Sequence, residues 1–277
     1  MISRYHYRPL IYFTTTFLVT FFLWFIGANI SHNDELKNLC NLFMLPGLMA
    51  PFLISLVMIF TSGDKRLGQD YVARLTSFNL IKPGMFPLFF FIMPVAVIIS
   101  ILLSLLRGES VSQFHFSDGF SFSYRSMPVI LILILAASFE ELGWRGYAFD
   151  SLLSKYNYLT ASFIFSILWS FWHLPLIFVK DSYQYEIIQQ NIWFGINFFA
   201  SIIPLGIIIS WICIKNGKSV IAAILFHFIV NLSQEILEIT QVTKCIETLV
   251  LFIFSLVIIV LDKELFFSRN VLSVRIK

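Results

Sequence analysis

Long stretches without charge leave this chain one kind of fold. Eight segments, 10–30, 39–61, 85–106, 127–150, 158–178, 191–213, 219–236 and 245–261, are predominantly apolar. Each runs for about 17–24 residues, the length that crosses a hydrocarbon core of roughly 30 Å. Lipid offers no hydrogen bonds, so a segment that spans it satisfies its own backbone by coiling into a helix. Only 13% of the residues are charged and 58% are hydrophobic, whereas a soluble domain carries roughly 25% charged residues. The expected fold is therefore all-α: a single polytopic membrane domain over 1–277, with about eight transmembrane helices. The second span contains Pro46 and Pro51 and is expected to kink, with neighbours satisfying the freed carbonyls. The seventh is the shortest. No internal repeat or linker divides the chain.

Loop charge sets the expected orientation. With the N-terminus taken as cytoplasmic, thirteen of the nineteen Lys and Arg residues fall on that side, among them Arg4, Arg8, Lys65, Arg66, Arg74, Lys215 and Lys218. Five fall on the other side, and Arg145 lies inside the fourth span. The positive-inside rule then places both termini in the cytoplasm of a multi-pass cell-membrane protein. The first apolar stretch is as long as a span and lacks an A-x-A cleavage site, so it reads as a retained anchor. The C-terminal Val274–Arg275–Ile276–Lys277 is not a prenylation signal. The loop from Ser62 to Gly84 is the most basic, and Gln69–Leu75 within it is read as a short interfacial helix or a plain solvated loop. No basic run interleaved with aromatics points to nucleic acid. The three cysteines, Cys40, Cys213 and Cys245, are too widely spaced for a thiolate metal site or a disulfide framework.

Against this background, Ser138–Tyr147 (SFEELGWRGY) stands out, because it follows the uncharged run Met127–Ala137. An ionisable group at membrane depth costs about 2.5–3.5 kcal/mol on insertion scales, so three together need local compensation. Glu141 and Arg145 are i and i+4 on one helical face and form the expected ion pair. Glu140 is rotated about 100° away and is left without a partner inside the motif. Two further spans carry histidine: Trp169–His173–Pro175 in the fifth and His227–Asn231 in the seventh. His6, His32 and His115 fall in or near loops. His227 and Asn231 share a face at i, i+4, and Trp169 lies one turn before His173 as a wall of the same site.

The residues permit hydrolysis by water and little else. No G-x-S-x-G elbow and no H-E-x-x-H is present, and neither spanning histidine, His173 or His227, has a serine beside it. Water would be activated either by a carboxylate together with an imidazole, or by a metal held by Glu and His. Asn231 is no base, but its amide N–H can donate to a developing oxyanion. Depth is a rough check at about 1.5 Å per residue. Glu140 lies about 15 Å and His227 about 12 Å from the cytoplasmic ends of their helices, while His173 lies about 22 Å in. One shared layer would require the fifth helix to start later or to tilt.

Glu140–Glu141-x-x-x-Arg145, Trp169-x-x-x-His173 and His227-x-x-x-Asn231 resemble, in order and spacing, the three motifs of the CaaX-protease and bacteriocin-processing (CPBP) membrane proteases. Within them the chain looks like an archaeal or bacterial type II CaaX prenyl endopeptidase of the Ras-converting-enzyme type. The likeness covers about residues 127–236, and Trp169 stands where phenylalanine is frequent. The resemblance implies that Glu140 and His173 activate the attacking water, that His227 and Asn231 stabilise the oxyanion, and that Glu141, Arg145 and Trp169 support them. It implies removal of three residues after a prenylated cysteine, with a prenylated CaaX protein or peptide and membrane lipid as partners.

Two choices remain open on these residues. A zinc site would use Glu140, His173 and His227 with Glu141 as base. The metal-free, glutamate-dependent reading is favoured, because Glu141 is paired with Arg145 and the His227–Asn231 pair suits two donors aimed at one oxyanion. The alternative functions are a protease on another membrane-associated peptide of the bacteriocin type and a non-catalytic bacteriocin-immunity protein. A proton-relay transporter would lead one to expect two related halves with discontinuous helices.

Overall fold

A computed structural model describes residues 7–117, 119 and 128–268. Within them the chain is helical: α1 (Pro9–Ser31), α2 (Asn41–Phe60), α3 (Lys65–Thr76), α4 (Phe86–Leu105), α5 (Val129–Gly143), α6 (Phe149–Leu153), α7 (Tyr158–Trp172), α8 (Tyr183–Gln190), α9 (Ile192–Lys215), α10 (Val220–Glu235), α11 (Gln241–Leu261) and α12 (Lys263–Phe267). Among the described residues, six helical segments are long and apolar enough to cross a membrane, and α10 is a shorter apolar helix. Large side chains such as Leu18, Phe22, Phe60, Phe91, Leu106 and Val260 stand exposed around the outside. In water such a surface would be an aggregation liability, whereas in lipid it is the matching face. The protein is an all-α, multi-pass membrane protein.

The first three expected spans appear within one or two residues of their bounds. The fourth departs from a plain rod. Its start at Met127 lies outside the described residues, and after Gly143 the helix widens into a single π turn, Trp144–Ala148, before resuming as α6. The fifth keeps its expected bounds, Tyr158–Phe178, but within it α7 ends at Trp172 and the chain tightens to 3₁₀ over Leu174–Phe178. Pro175 explains this ending, since it has no N–H to continue the ladder. Of the two readings of Gln69–Leu75 the helix is the one found: it lies within α3, which buries Leu67, Tyr71 and Arg74 at i, i+4 and i+7.

Polar caps start several of the rods. The side chains of Asn157, Asn191, Ser219 and Thr240 accept from the first-turn N–H groups of α7, α9, α10 and α11. The reversal between α9 and α10 takes two left-handed residues, Gly217 and Lys218, with φ of 61° and 64°. α10 then packs against α4, α5 and α9, which sets it in the middle of the bundle.

The prolines of α2 show how the interior is satisfied. Pro51 cannot donate to the carbonyl of Gly47 four residues earlier, and Thr20 of α1 donates its hydroxyl there instead at 3.0 Å. Trp172 Nε1 donates to the same Thr20 oxygen at 3.0 Å, and Trp24 Nε1 donates to Met44 O at 2.9 Å. Close approach of α2 to α5 depends on Gly143, where an added Cβ would run into the backbone carbonyl of Pro51. That contact seats the last turn of α5, which carries both glutamates, against α2.

Candidate active site

The charge-free residues of α5 form an ordinary apolar helix, and the ionisable groups arrive together in its last turn. Arg145 reaches back one turn, and its Nη1 donates to Glu141 Oε1 at 2.9 Å and Oε2 at 3.0 Å. Both side chains are 0% exposed. Nη2 donates to Gly206 O and Ser210 Oγ of α9, each at 3.3 Å. The guanidinium also lies 4.3 Å from the Phe165 ring and 5.3 Å from the Trp169 ring, contacts that favour a desolvated cation. The expected i, i+4 pair is therefore formed and deeply buried.

Glu141 has a second partner that its sequence neighbourhood does not reveal. His227 Nδ1 lies 2.9 Å from Glu141 Oε1. Because that carboxylate is already paired with a guanidinium, the proton of this bond belongs on the imidazole. A carboxylate behind one ring nitrogen fixes the orientation of the ring and leaves the other nitrogen to face the site. Asn231, one turn further along the same helix, is half-buried, and its amide makes no hydrogen bond among the described residues.

Glu140 turns out to have partners as well. Its Oε2 accepts from Trp169 Nε1 at 2.7 Å and, more weakly, from Trp144 Nε1 at 3.4 Å. Trp144 is four residues on and lies inside the motif, so the expectation of an unpartnered Glu140 is corrected; the i, i+4 spacing to an indole donor was the available signal. Both donors are neutral and both bind one oxygen. Oε1 makes no hydrogen bond among the described residues. Trp169 is thus more than a wall: it holds Glu140, and its ring stands edge-on to His227 with centroids 5.4 Å apart.

His173 caps the end of α7 and is not an interior residue of that helix. Its Nδ1 is 2.8 Å from Trp169 O. A carbonyl can only accept, so Nδ1 carries the proton and Nε2 presents a lone pair. The rings of Trp172, Trp169 and Phe198 surround it, with centroids 4.9, 6.0 and 5.7 Å away.

The depth discrepancy resolves on the motif's side. The fifth helix starts at Tyr158 as expected, but the motif helix continues through the π turn to Leu153. Glu140 is then about 20 Å from that end of the bundle, close to the roughly 22 Å of His173 at 1.5 Å per residue. His227 counts shallower from the start of its own helix, yet its Nδ1 lies 2.9 Å from Glu141 Oε1, so α10 starts at a different level from the other two ends.

Metal chemistry has a geometric requirement of its own. Among the described residues, no three or more His, Cys, Asp or Glu side chains are placed to hold a metal ion together.

Buried acid, imidazole and indole groups meeting within a helical membrane bundle define a polytopic membrane protein with an intramembrane acid–histidine centre. Residues 123–233 match the family model for "Type II CAAX prenyl endopeptidase Rce1-like". The "CAAX prenyl protease 2" of Methanococcus maripaludis is 55% identical over 269 residues, 97% of this chain and 99% of that protein. The chain belongs to the Rce1-like, type II CAAX prenyl endopeptidase family.

Removing the guanidinium takes from the buried Glu141 the partner that binds both of its oxygens, a loss of up to about 3–5 kcal/mol for a buried pair. Arg145→Ala is expected to lower folded yield and melting temperature in detergent together with activity. A variant that melts like the parent but has no turnover would move Arg145 from support to the chemical step.

Proposed function

We propose that this protein hydrolyses the peptide bond after a prenylated cysteine, releasing the three C-terminal residues of a CaaX protein, by a metal-free mechanism based on Glu140. The observation that carries the mechanism is the holding of Glu140: two neutral indole donors fix one carboxylate oxygen and leave the other without a hydrogen bond among the described residues.

A water between Glu140 Oε1 and His173 Nε2 has an acceptor on each side. As its oxygen attacks the scissile carbonyl, its proton passes to Glu140. The carbonyl oxygen takes up negative charge and faces His227 and Asn231. With both ring nitrogens of His227 protonated, Nδ1–H rests on Glu141 and Nε2–H donates to the oxyanion, beside the Asn231 amide N–H. Collapse breaks the C–N bond, and the proton on Glu140 transfers to the leaving amine. The products are a prenylcysteine with a free carboxylate and a tripeptide. Glu141 and Arg145 take no proton in this sequence; they hold the turn and aim His227.

The substrate class is supported by family membership and by the placement of the site inside an apolar bundle, where a prenyl chain is at home and an unmodified peptide is not. The test compares a farnesylated CaaX peptide with its unprenylated counterpart, using the parent and Glu140→Gln. Cleavage confined to the prenylated peptide and a loss of about 10²–10⁴-fold or more in the variant, with unchanged melting, are expected, since an amide cannot take the proton. Equal cleavage of the unprenylated peptide would indicate a protease on another peptide, and full activity in Glu140→Gln would discard the mechanism.

Both termini and the loop carrying α3 are assigned to the cytoplasm on the asymmetry of Lys and Arg between loops. Cysteines introduced at Lys65 and Lys215 should resist labelling by a membrane-impermeant reagent in intact cells and react after lysis. Labelling of both from outside would reverse the topology.

A further inference from the structure

The π turn creates a need that a separate element meets. At Phe149 the ladder runs i→i+5, with its N–H bonded to Trp144 O. On return to ordinary α-helical spacing a carbonyl is skipped, and a buried carbonyl needs a donor from elsewhere. The donors come from α3. Arg74 Nη1 reaches Arg145 O at 3.2 Å and Nη2 reaches Gly146 O at 2.8 Å. Tyr71 Oη donates to Leu142 O at 3.2 Å, and its ring lies so close to Gly146 that an added Cβ there would sit 2.6 Å from it. Arg74 is only 3% exposed. Asp150 holds its Nη1 at 3.0 Å, and Asp70, one turn before it, lies 3.0 Å from Nε.

The grip extends across the turn. Leu142 lies before it, Arg145 and Gly146 within it, and Asp150 beyond it on α6. One extra residue rotates the two flanking parts of a helix by about 100° relative to each other. If the turn reverted to α, Glu140 could not face Trp169 while Asp150 still faced Arg74. Neutralising Asp150 does not by itself require Arg74, because Lys218 Nζ is also 3.0 Å from its Oδ2 and Tyr7 Oη is 3.5 Å away. What Arg74 alone supplies is a planar fork that serves two carbonyls at once.

We infer that Arg74, assisted by Tyr71, is a positioning residue: α3 clamps the π turn and thereby sets the rotation at which α5 presents Glu140 to the site. The inference rests on the proposed peptidase activity for its kinetic consequence and on the structure alone for the clamp. The test uses the full-length protein with Arg74→Lys, which keeps the cation beside Asp150 but loses the fork. A misaimed catalytic group lowers turnover more than binding, and a displacement of about 1 Å can cost on the order of 10²-fold. For Arg74→Lys we expect kcat to fall about 10-fold or more with KM within about 3-fold, together with faster amide hydrogen exchange over residues 144–149 in the absence of substrate. Parent-like kcat and exchange in Arg74→Lys would reduce Arg74 to a counter-charge and overturn the inference. Should that variant fail to fold, Tyr71→Phe removes only the hydroxyl bond to Leu142; a drop in kcat with faster exchange in the same segment supports the clamp, and no change in either overturns it. If the parent itself leaves the prenylated peptide intact, the proposed activity fails, while the exchange measurement still decides the clamp.

Discussion

A carboxylate sealed inside a membrane bundle has to be matched on every side, and Glu141 is the residue around which this one is matched. Arg145 takes both of its oxygens and His227 takes one of them. Breaking either contact exposes a charge to a medium that cannot solvate it. Through these bonds α5 is tied to α10 by His227, and to α9 by the donation of Arg145 to Gly206 and Ser210. The polar centre thus fixes three rods relative to one another in an environment where apolar packing gives no preference between helix and lipid.

The neighbouring Glu140 is handled in a different way, and the difference is what makes the centre chemically interesting. It meets indole N–H groups in place of charges, and they occupy a single oxygen. Neutral donors orient a carboxylate without answering its charge with another, and the second oxygen keeps its capacity to accept. Two adjacent acids, a hundred degrees apart on one helix, therefore receive opposite treatment. Trp169 makes the separation possible, since it binds Glu140 through its nitrogen, offers its carbonyl to His173 and sets the edge of its ring against His227.

Much of this was legible in the residues, where the relevant physics is local. The apolar runs located the rods, the i, i+4 spacing located the Glu141–Arg145 pair, and the prolines of α2 announced carbonyls that needed partners. Trp144 was equally legible as a donor to Glu140, but weighing only charged partners passes it over. The bond between Glu141 and His227 joins positions 86 apart, and no local pattern encodes which imidazole faces which acid. Nor does SFEELGWRGY declare a π turn: the glycines at 143 and 146 hint at close approach, but Pro51 and Tyr71, which occupy that space, belong to other helices. The same holds for Arg74, whose basic character reads as a solvated loop charge until α3 folds against the turn and buries it.

The division of labour between the two glutamates comes down to whether Glu140 moves a proton or makes a bond. Hydrolysis of a farnesylated peptide under single-turnover conditions in ¹⁸O-labelled water, with mass spectrometry of the product and of the protein segment carrying Glu140, separates the two. Direct attack by water puts the label in the new prenylcysteine carboxylate on the first turnover and leaves the Glu140 side chain unlabelled, which is the predicted result. Label appearing in the Glu140 carboxylate would show that it had been acylated, and would contradict the account.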